Sequence, residues 1–331
     1  MSGCRLCPRE CGADRKGGQK GSCHADDQIR VARAALHFCE EPCISGKKGA
    51  GAVFFSGCAL GCVYCQNRAI SRGEAGLDIS VERLSEIFLE LQAQGANNIN
   101  LVTAGHYVPQ VCAALRLAKK RGLVVPIVWN SSGYEKAETL RLLEGLADIY
   151  LPDLKYLDAE LAERYSYAGD YPEVAKKALR EMVRQQPRPR FDERGIMTAG
   201  VIVRHLLLPG HVREAKRVVS YLYETYGQQI YMSLMNQYTP PDGEYMRDAN
   251  ASCDSKNAQS VVPVRRQRLN CEAAGAEQAD PLLMRRVTKR EYERLLDHAV
   301  RLGVEQAFYQ EGETAMESFI PAFDGMGVIS H

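Results

Sequence analysis

From residue 52 onward the chain alternates two kinds of hydrophobic pattern. Short runs that are nearly all apolar, at residues 52–56, 98–103, 124–129, 149–154, 200–208 and 229–235, predict strands covered on both faces, and Ala307–Tyr309 is a further candidate. Between them lie stretches with apolar residues three and four apart, which predict helices at 80–94, 108–121, 135–146, 173–184, 211–226 and 288–302. Ser80 precedes Leu84, Ile87, Phe88 and Leu91 as an N-cap, and Thr288 with Glu291 has the form of a capping box. Strand and helix alternating in this way argue for a parallel sheet. Six such units are too few for a closed eight-fold barrel, so the expected fold is α/β, an open partial (β/α)6 barrel.

Two segments break the rhythm. Residues 1–50 are rich in Cys, Gly, Arg and Lys and poor in long apolar runs, so they read as a small Cys-rich extension ahead of a barrel spanning 51–331. Residues 240–286 are polar and aperiodic and carry Arg265-Arg266-Gln267-Arg268, Cys253 and Cys271. A loop this long is expected to be a lid, a partner-binding segment or a solvated insertion. The 42 basic and 41 acidic residues leave a net charge of +1, which gives no reason to expect nucleic acid as a partner. No apolar stretch approaches a membrane span and the N-terminus carries no signal-like apolar region, so the expected location is cytoplasmic. Twelve cysteines at short, clustered spacings in a chain of 331 residues fit metal binding in a reducing compartment better than a secreted disulfide framework.

The chemistry concentrates in those clusters. Cys58-Ala59-Leu60-Gly61-Cys62-Val63-Tyr64-Cys65 places three thiols within eight residues, directly after an apolar strand. Three cysteines on one tight loop can hold three irons of a cubane cluster and leave the fourth open to a small molecule, whereas a fourth Cys would close the site. The competing reading is a zinc or simple iron–sulfur knot, but zinc normally takes four ligands and the loop offers three. A second cluster, Cys4, Cys7, Cys11 and Cys23, has the four thiols of a closed site, with glycines at 12, 17, 18 and 21 to let the chain turn around a metal. Spacing leaves zinc, iron–sulfur and no metal at all open there. Cys39 and Cys43 can supplement that site or stand as small hydrophobes, and Cys112 reads as the latter.

The three-cysteine motif, with Tyr64 before its last ligand, resembles the radical SAM signature. The segments 4–23, 31–45, 53–71, 101–111, 130–135, 148–156, 204–210 and 233–240 are similar to the pyruvate formate-lyase activating enzyme family, in an activase-like subgroup with a Cys-rich N-terminal extension. The resemblance implies a 4Fe–4S cluster on Cys58, Cys62 and Cys65, S-adenosylmethionine (SAM) as cofactor, and a reductant such as flavodoxin or ferredoxin. It implies reductive cleavage of SAM to a 5′-deoxyadenosyl radical that abstracts hydrogen from a protein or peptide substrate, in the family a glycine of a glycyl-radical enzyme.

Cofactor-facing roles carry over to Tyr64 near the adenine and to Asn67 beside the cluster. They carry over also to Thr103 and Gly105, where the family has Gly-Gly, to Asn130 and Ser131 after the third strand, and to Asp153 and Lys155 after the fourth. Arg204 is implied for the cofactor's carboxylate, and Asn236 stands where the family has His. Alternation along the strand puts Asp153 and Lys155 on one side, where a structural ion pair is the plainer alternative. His106 reads as a loop or helix-start residue. The competing functional class is an iron–sulfur electron carrier or redox sensor without SAM turnover, which needs clusters but no cofactor pocket.

Overall fold

The computed structural model describes residues 3–241, 280–310 and 321–329; most of the 240–286 segment lies outside them. The strands are β1 (Ile29–His37), β2 (Ala50–Phe55), β3 (Leu77–Ile79), β4 (Ile99–Val102), β5 (Ile127–Ser131), β6 (Ile149–Pro152), β7 (Arg190–Phe191), β8 (Met197–Leu206), β9 (Tyr231–Met235) and β10 (Ala307–Tyr309). They form one sheet in the order β10-β9-β8-β6-β5-β4-β2-β1-β3, with β7 paired to β8. The strands from β2 to β10, apart from β3 and β7, run parallel, each beside its predecessor in the chain. Successive crossovers of one hand wind such a sheet toward a barrel, and this one stays open between β3 and β10. The α/β partial barrel expected from the sequence is the fold observed, with β10 as a seventh parallel strand.

Part of the 1–50 segment, Ile29–His37, belongs to this sheet. β1 pairs antiparallel with both β2 and β3 and extends the β2 edge. Its alternation is interrupted by Arg30 and Arg33, which hid it in the sequence. After β1, the turn Pro42–Ser45 tucks inside the curve of the sheet. There Cys43 and Ile44 pack on Ala50, Val128, Ile149, Leu151, Met197 and Ile202 and plug the bottom of the barrel. Cys43 is thus part of an apolar plug, and Cys39 is exposed; neither is described as joining the N-terminal cysteines.

The helices cover the outer face. Val81–Ala93 starts where Ser80 Oγ accepts from the Arg83 amide, and buries Leu84, Ile87, Phe88 and Leu91. Lys289–Leu302 carries the Thr288–Glu291 capping box in full. Three boundaries move for local reasons. The third strand begins after Pro126, which has no N–H to give the ladder, and Val124 is left 84% exposed. β8 begins at Met197 because β7 pairs with its first residues. The helix expected at 135–146 shrinks to single turns at Ala137–Leu140 and Arg141–Leu143. Trp129 Nε1 (2.8 Å) and Ser131 Oγ (2.5 Å) draw the Glu135 carboxylate inward and hold the entering chain extended. Among the described residues no helix is long and apolar enough to cross a membrane.

Candidate active site

The parallel strands all point their C-terminal ends to one mouth, the usual place for chemistry in wound α/β folds. β2 ends there and passes into the Cys58–Cys65 loop. Gly57 (φ +100°) must be glycine, because a Cβ there would lie 2.6 Å from the Cys23 carbonyl oxygen. Gly61 (φ +67°) turns the chain back between the first two cysteines. The loop is fixed by backbone bonds from Val63 N to Tyr165 O (2.9 Å) and from Cys65 N to Cys62 O (3.1 Å). The Leu60 amide donates to Cys58 Sγ at 3.4 Å.

The three thiols lie in one another's electrostatic field. Burial, then the neighbouring Cys62 and Cys58, push the Cys65 thiol up to about 12, and burial raises Cys62 against the pull of the Lys155 ammonium. Cationic iron reverses that balance, because a metal makes closely spaced thiolates tolerable. Among the described residues no group of three or more His, Cys, Asp or Glu side chains could hold a single metal ion. The donor set here, three thiols with a fourth position unprovided, is that of an open cubane cluster.

Behind the loop runs a buried hydroxyl chain for which no sequence motif stands. Ser166, at the end of helix Ala159–Ser166, donates to Cys62 Sγ at 3.0 Å. Its oxygen lies 3.0 Å from Tyr156 OH, which lies 2.5 Å from Tyr64 OH. Since the Ser166 proton goes to sulfur, Tyr156 must donate to Ser166 and Tyr64 to Tyr156. Tyr64 is buried against Tyr165 and Tyr238.

Beside the loop, inward positions of neighbouring strands form a polar belt above the apolar plug. Arg204 Nε donates to Asp153 Oδ1 (3.0 Å), Nη2 to Asn130 Oδ1 (2.7 Å) and Nη1 to Glu40 Oε2 (3.3 Å). Lys155 Nζ donates to Asp153 Oδ2 at 2.7 Å. Asn100 and Asn130 donate to Glu40 Oε1. Burial works to raise the Asp153 carboxyl, but the Lys155 and Arg204 charges outweigh it and hold it below the usual range. Burial works to lower Lys155 and Arg204, and the carboxylates around them overcome it. Glu41 stays raised, chiefly by burial. Glu41 Oε2 and Asn100 Oδ1 are buried acceptors without a partner among the described residues. Glu40, Glu41 and Asn100 were not read from the sequence; a pair of acids before Pro42 was the only signal.

The other candidates divide. Asn67 caps the turn Arg68–Ser71 and its backbone faces the Cys65 sulfur. Thr103 ends β4 at φ +59°, a left-handed conformation that a glycine takes freely and a β-branched residue rarely does. Gly105 lies against Glu135, where a Cβ would be 3.2 Å from Oε1. Ser131 also gives its hydroxyl to Glu135, on the helix side with Trp129, and is not brought to the mouth. Asn236 receives Gln310 Oε1 on its amide (2.8 Å), and the next carbonyl, Gln237 O, accepts from Gln66 of the cysteine loop (3.1 Å). His106 is buried with Nε2 2.7 Å from Ser56 O, a structural placement. Cys112 Sγ meets Leu142 O in the core.

The N-terminal cysteines stand next to this site. The Cys58 amide donates to Cys23 O at 3.1 Å. Arg9 Nε donates to Ala59 O at 2.8 Å and Nη2 to Ser166 O at 3.2 Å.

Comparison with known proteins adds the following. The Radical SAM superfamily model matches residues 52–220, just over half of the chain. An uncharacterized protein of Methanocaldococcus jannaschii, MJ0674, is 25% identical over 245 residues, covering 72% of this chain and 66% of that protein. The chain therefore spans slightly less than two thirds of that curated relative. Streptococcus suis SuiB, solved bound to its precursor peptide SuiA, superposes at a TM-score of 0.44 and 11% identity, over 77% of this chain and 46% of that one.

Proposed function

This chain belongs to the radical SAM superfamily, and we propose that it is an enzyme that cleaves SAM reductively and abstracts a hydrogen atom from a protein or peptide substrate. The gathering of Cys58, Cys62 and Cys65 at the mouth, beside Asp153, Lys155 and Arg204, is the observation that carries the reading. Cys58, Cys62 and Cys65 would hold a 4Fe–4S cluster, which would supply the electron for reductive cleavage of SAM. The protein's own residues bind and orient. Lys155 pairs with Asp153, and its charge acts on the Cys62 thiol. Arg204 holds a carboxylate: Glu40 is its most distant partner, at 3.3 Å, and the one an incoming carboxylate would displace. Asn130 and Asp153 keep the guanidinium aimed while that exchange occurs.

The motif resemblance to the activases supports a finer reading, in which the substrate hydrogen comes from a glycine Cα of a partner glycyl-radical enzyme and a flavodoxin or ferredoxin supplies the electron. A metal at Cys4, Cys7, Cys11 and Cys23, zinc or iron–sulfur, belongs to the same reading.

The test is anaerobic reconstitution, reduction with dithionite, and assay for 5′-deoxyadenosine with SAM. Product from wild type and none from Cys58→Ala is expected. A fully loaded cluster that yields no product and whose spectrum ignores SAM would leave an electron carrier instead.

A further inference from the structure

We propose that Cys4, Cys7, Cys11 and Cys23 hold a second iron–sulfur cluster, capped entirely by protein thiolates and seated in contact with the Cys58–Cys65 loop; this rests on reading that loop as the seat of the first cluster. Among the described residues the N-terminal knot is a chain of turns with no helix or strand before β1. It closes through Cys4 N to Ala13 O (2.9 Å), Gly12 N to Cys4 O (3.0 Å) and Gly21 N to Ala25 O (3.0 Å). Little of this segment is apolar, and an internal metal link is the usual device that holds such turns together.

Two of the four sulfurs, those of Cys11 and Cys23, face a common space. A Cβ placed on Gly21 would meet Cys11 Sγ at 3.0 Å and Cys23 Sγ at 3.6 Å, so those two thiols converge where a side chain is missing. Cys7 feels the charges of Cys23, Cys4 and Cys11. Arg15, buried, sets Nη1 3.9 Å from Cys4 Sγ while donating to His106 O at 2.6 Å, a fixed cation against a centre that four thiolates make negative.

Spacing favours a cube over a lone ion. Tetrahedral zinc at about 2.3 Å from each sulfur needs the sulfurs roughly 3.8 Å apart. Among the described residues no group of three or more His, Cys, Asp or Glu could hold a single ion, a property these thiols share with the Cys58, Cys62 and Cys65 set, while Cys7 lies in the field of Cys4, Cys11 and Cys23, and Cys23 in that of Cys4 and Cys11. A four-iron cube spans the wider set.

Position gives such a centre a use. From Cys23 Sγ to Cys58 Sγ the path is covalent except for one hydrogen bond, Cys58 N–H to Cys23 O at 3.1 Å. Arg9 clamps the knot to Ala59 and Ser166 on the other side of the loop. A low-potential one-electron donor of the ferredoxin or flavodoxin class is oxidised by one electron. The electron rests on the N-terminal centre and crosses this contact to the loop, returning that centre to its starting state; no bond or proton moves.

The test reconstitutes the full chain anaerobically with iron and sulfide, as wild type, C58A/C62A/C65A and C4A/C7A/C11A. About eight irons in wild type and about four in each variant are expected. Reduced C58A/C62A/C65A should give an EPR signal that ignores SAM, and reduced wild type a spectrum broadened by two coupled centres. One zinc and no iron in C58A/C62A/C65A, or about four irons in wild type, overturns the proposal. The wild-type count decides even where a variant does not fold. Absence of 5′-deoxyadenosine with eight irons bound would sink the reading of the first cluster and leave the second standing.

Discussion

Replacing Ser166 with Ala should make the cluster on Cys58, Cys62 and Cys65 harder to reduce. The hydroxyl donates to Cys62 Sγ at 3.0 Å, and Ser166 is fully buried. Reduction adds negative charge to the sulfurs, so a donor aimed at one of them favours the reduced state. A neutral hydrogen bond contributes about 0.5–1.5 kcal/mol net, and one to a charged acceptor roughly twice that. The difference between the two oxidation states is then of the same order as the neutral bond itself. For a one-electron couple about 1.4 kcal/mol corresponds to about 59 mV, so the midpoint should fall by roughly 20–60 mV. Tyr156 donates to Ser166 and polarises it, so Tyr156→Phe should shift the potential in the same direction by less. Ser166→Thr keeps the hydroxyl and should stay near wild type. The assay is an EPR-monitored redox titration of reconstituted protein at matched iron content. An unchanged or higher midpoint in Ser166→Ala, or an equal fall in Ser166→Thr, would refute the reasoning.

Three further outcomes follow from the same geometry. Asp153→Asn leaves the buried Lys155 ammonium unpaired and Arg204 half-paired, so urea unfolding should show a loss of about 3–5 kcal/mol, and a loss below about 1 kcal/mol would count against a tight pair. Burial lowers His106 from its ordinary 6.5 to about 4. The unfolded chain therefore takes up the proton first, and stability present above pH 6.5 is lost as pH falls toward 4, by up to about 3 kcal/mol. His106→Gln, which keeps a donor for Ser56 O, should remove that slope from the difference in urea midpoints between pH 7 and 5; a parallel slope in the variant is the adverse result. Thr103→Gly relieves about 1–2 kcal/mol of left-handed strain at a β-branched residue and costs about 0.5–1 kcal/mol of chain entropy, so a gain of up to about 1.5 kcal/mol is expected and a clear loss is not.

Much of the fold was legible because it depends on local patterning. The runs that became β2, β4, β6, β8, β9 and β10 are continuous apolar segments flanked by helical periodicity, and only their ends moved. β1 was not legible: its residues look like part of a polar extension until β2 and β3 are beside them. The shortened helix at Ala137–Leu140 was not legible either, since it depends on where Trp129 and Ser131 hold Glu135.

The site divides along the same line. Cys58, Cys62 and Cys65 could be singled out as candidate ligands from spacing alone, because a tight loop keeps its own thiols close whatever surrounds it, and the pairing of Asp153 with Lys155 follows from strand alternation. Ser166 on Cys62, Glu40 on Arg204 and Cys23 on Cys58 join residues 104, 164 and 35 positions apart or close to it, as the chain folds back on itself. Short-range chemistry is written in sequence because covalent geometry enforces it. Which distant groups meet is settled only when burial of the apolar faces brings the strands, the plug and the knot together, and no local pattern encodes that encounter.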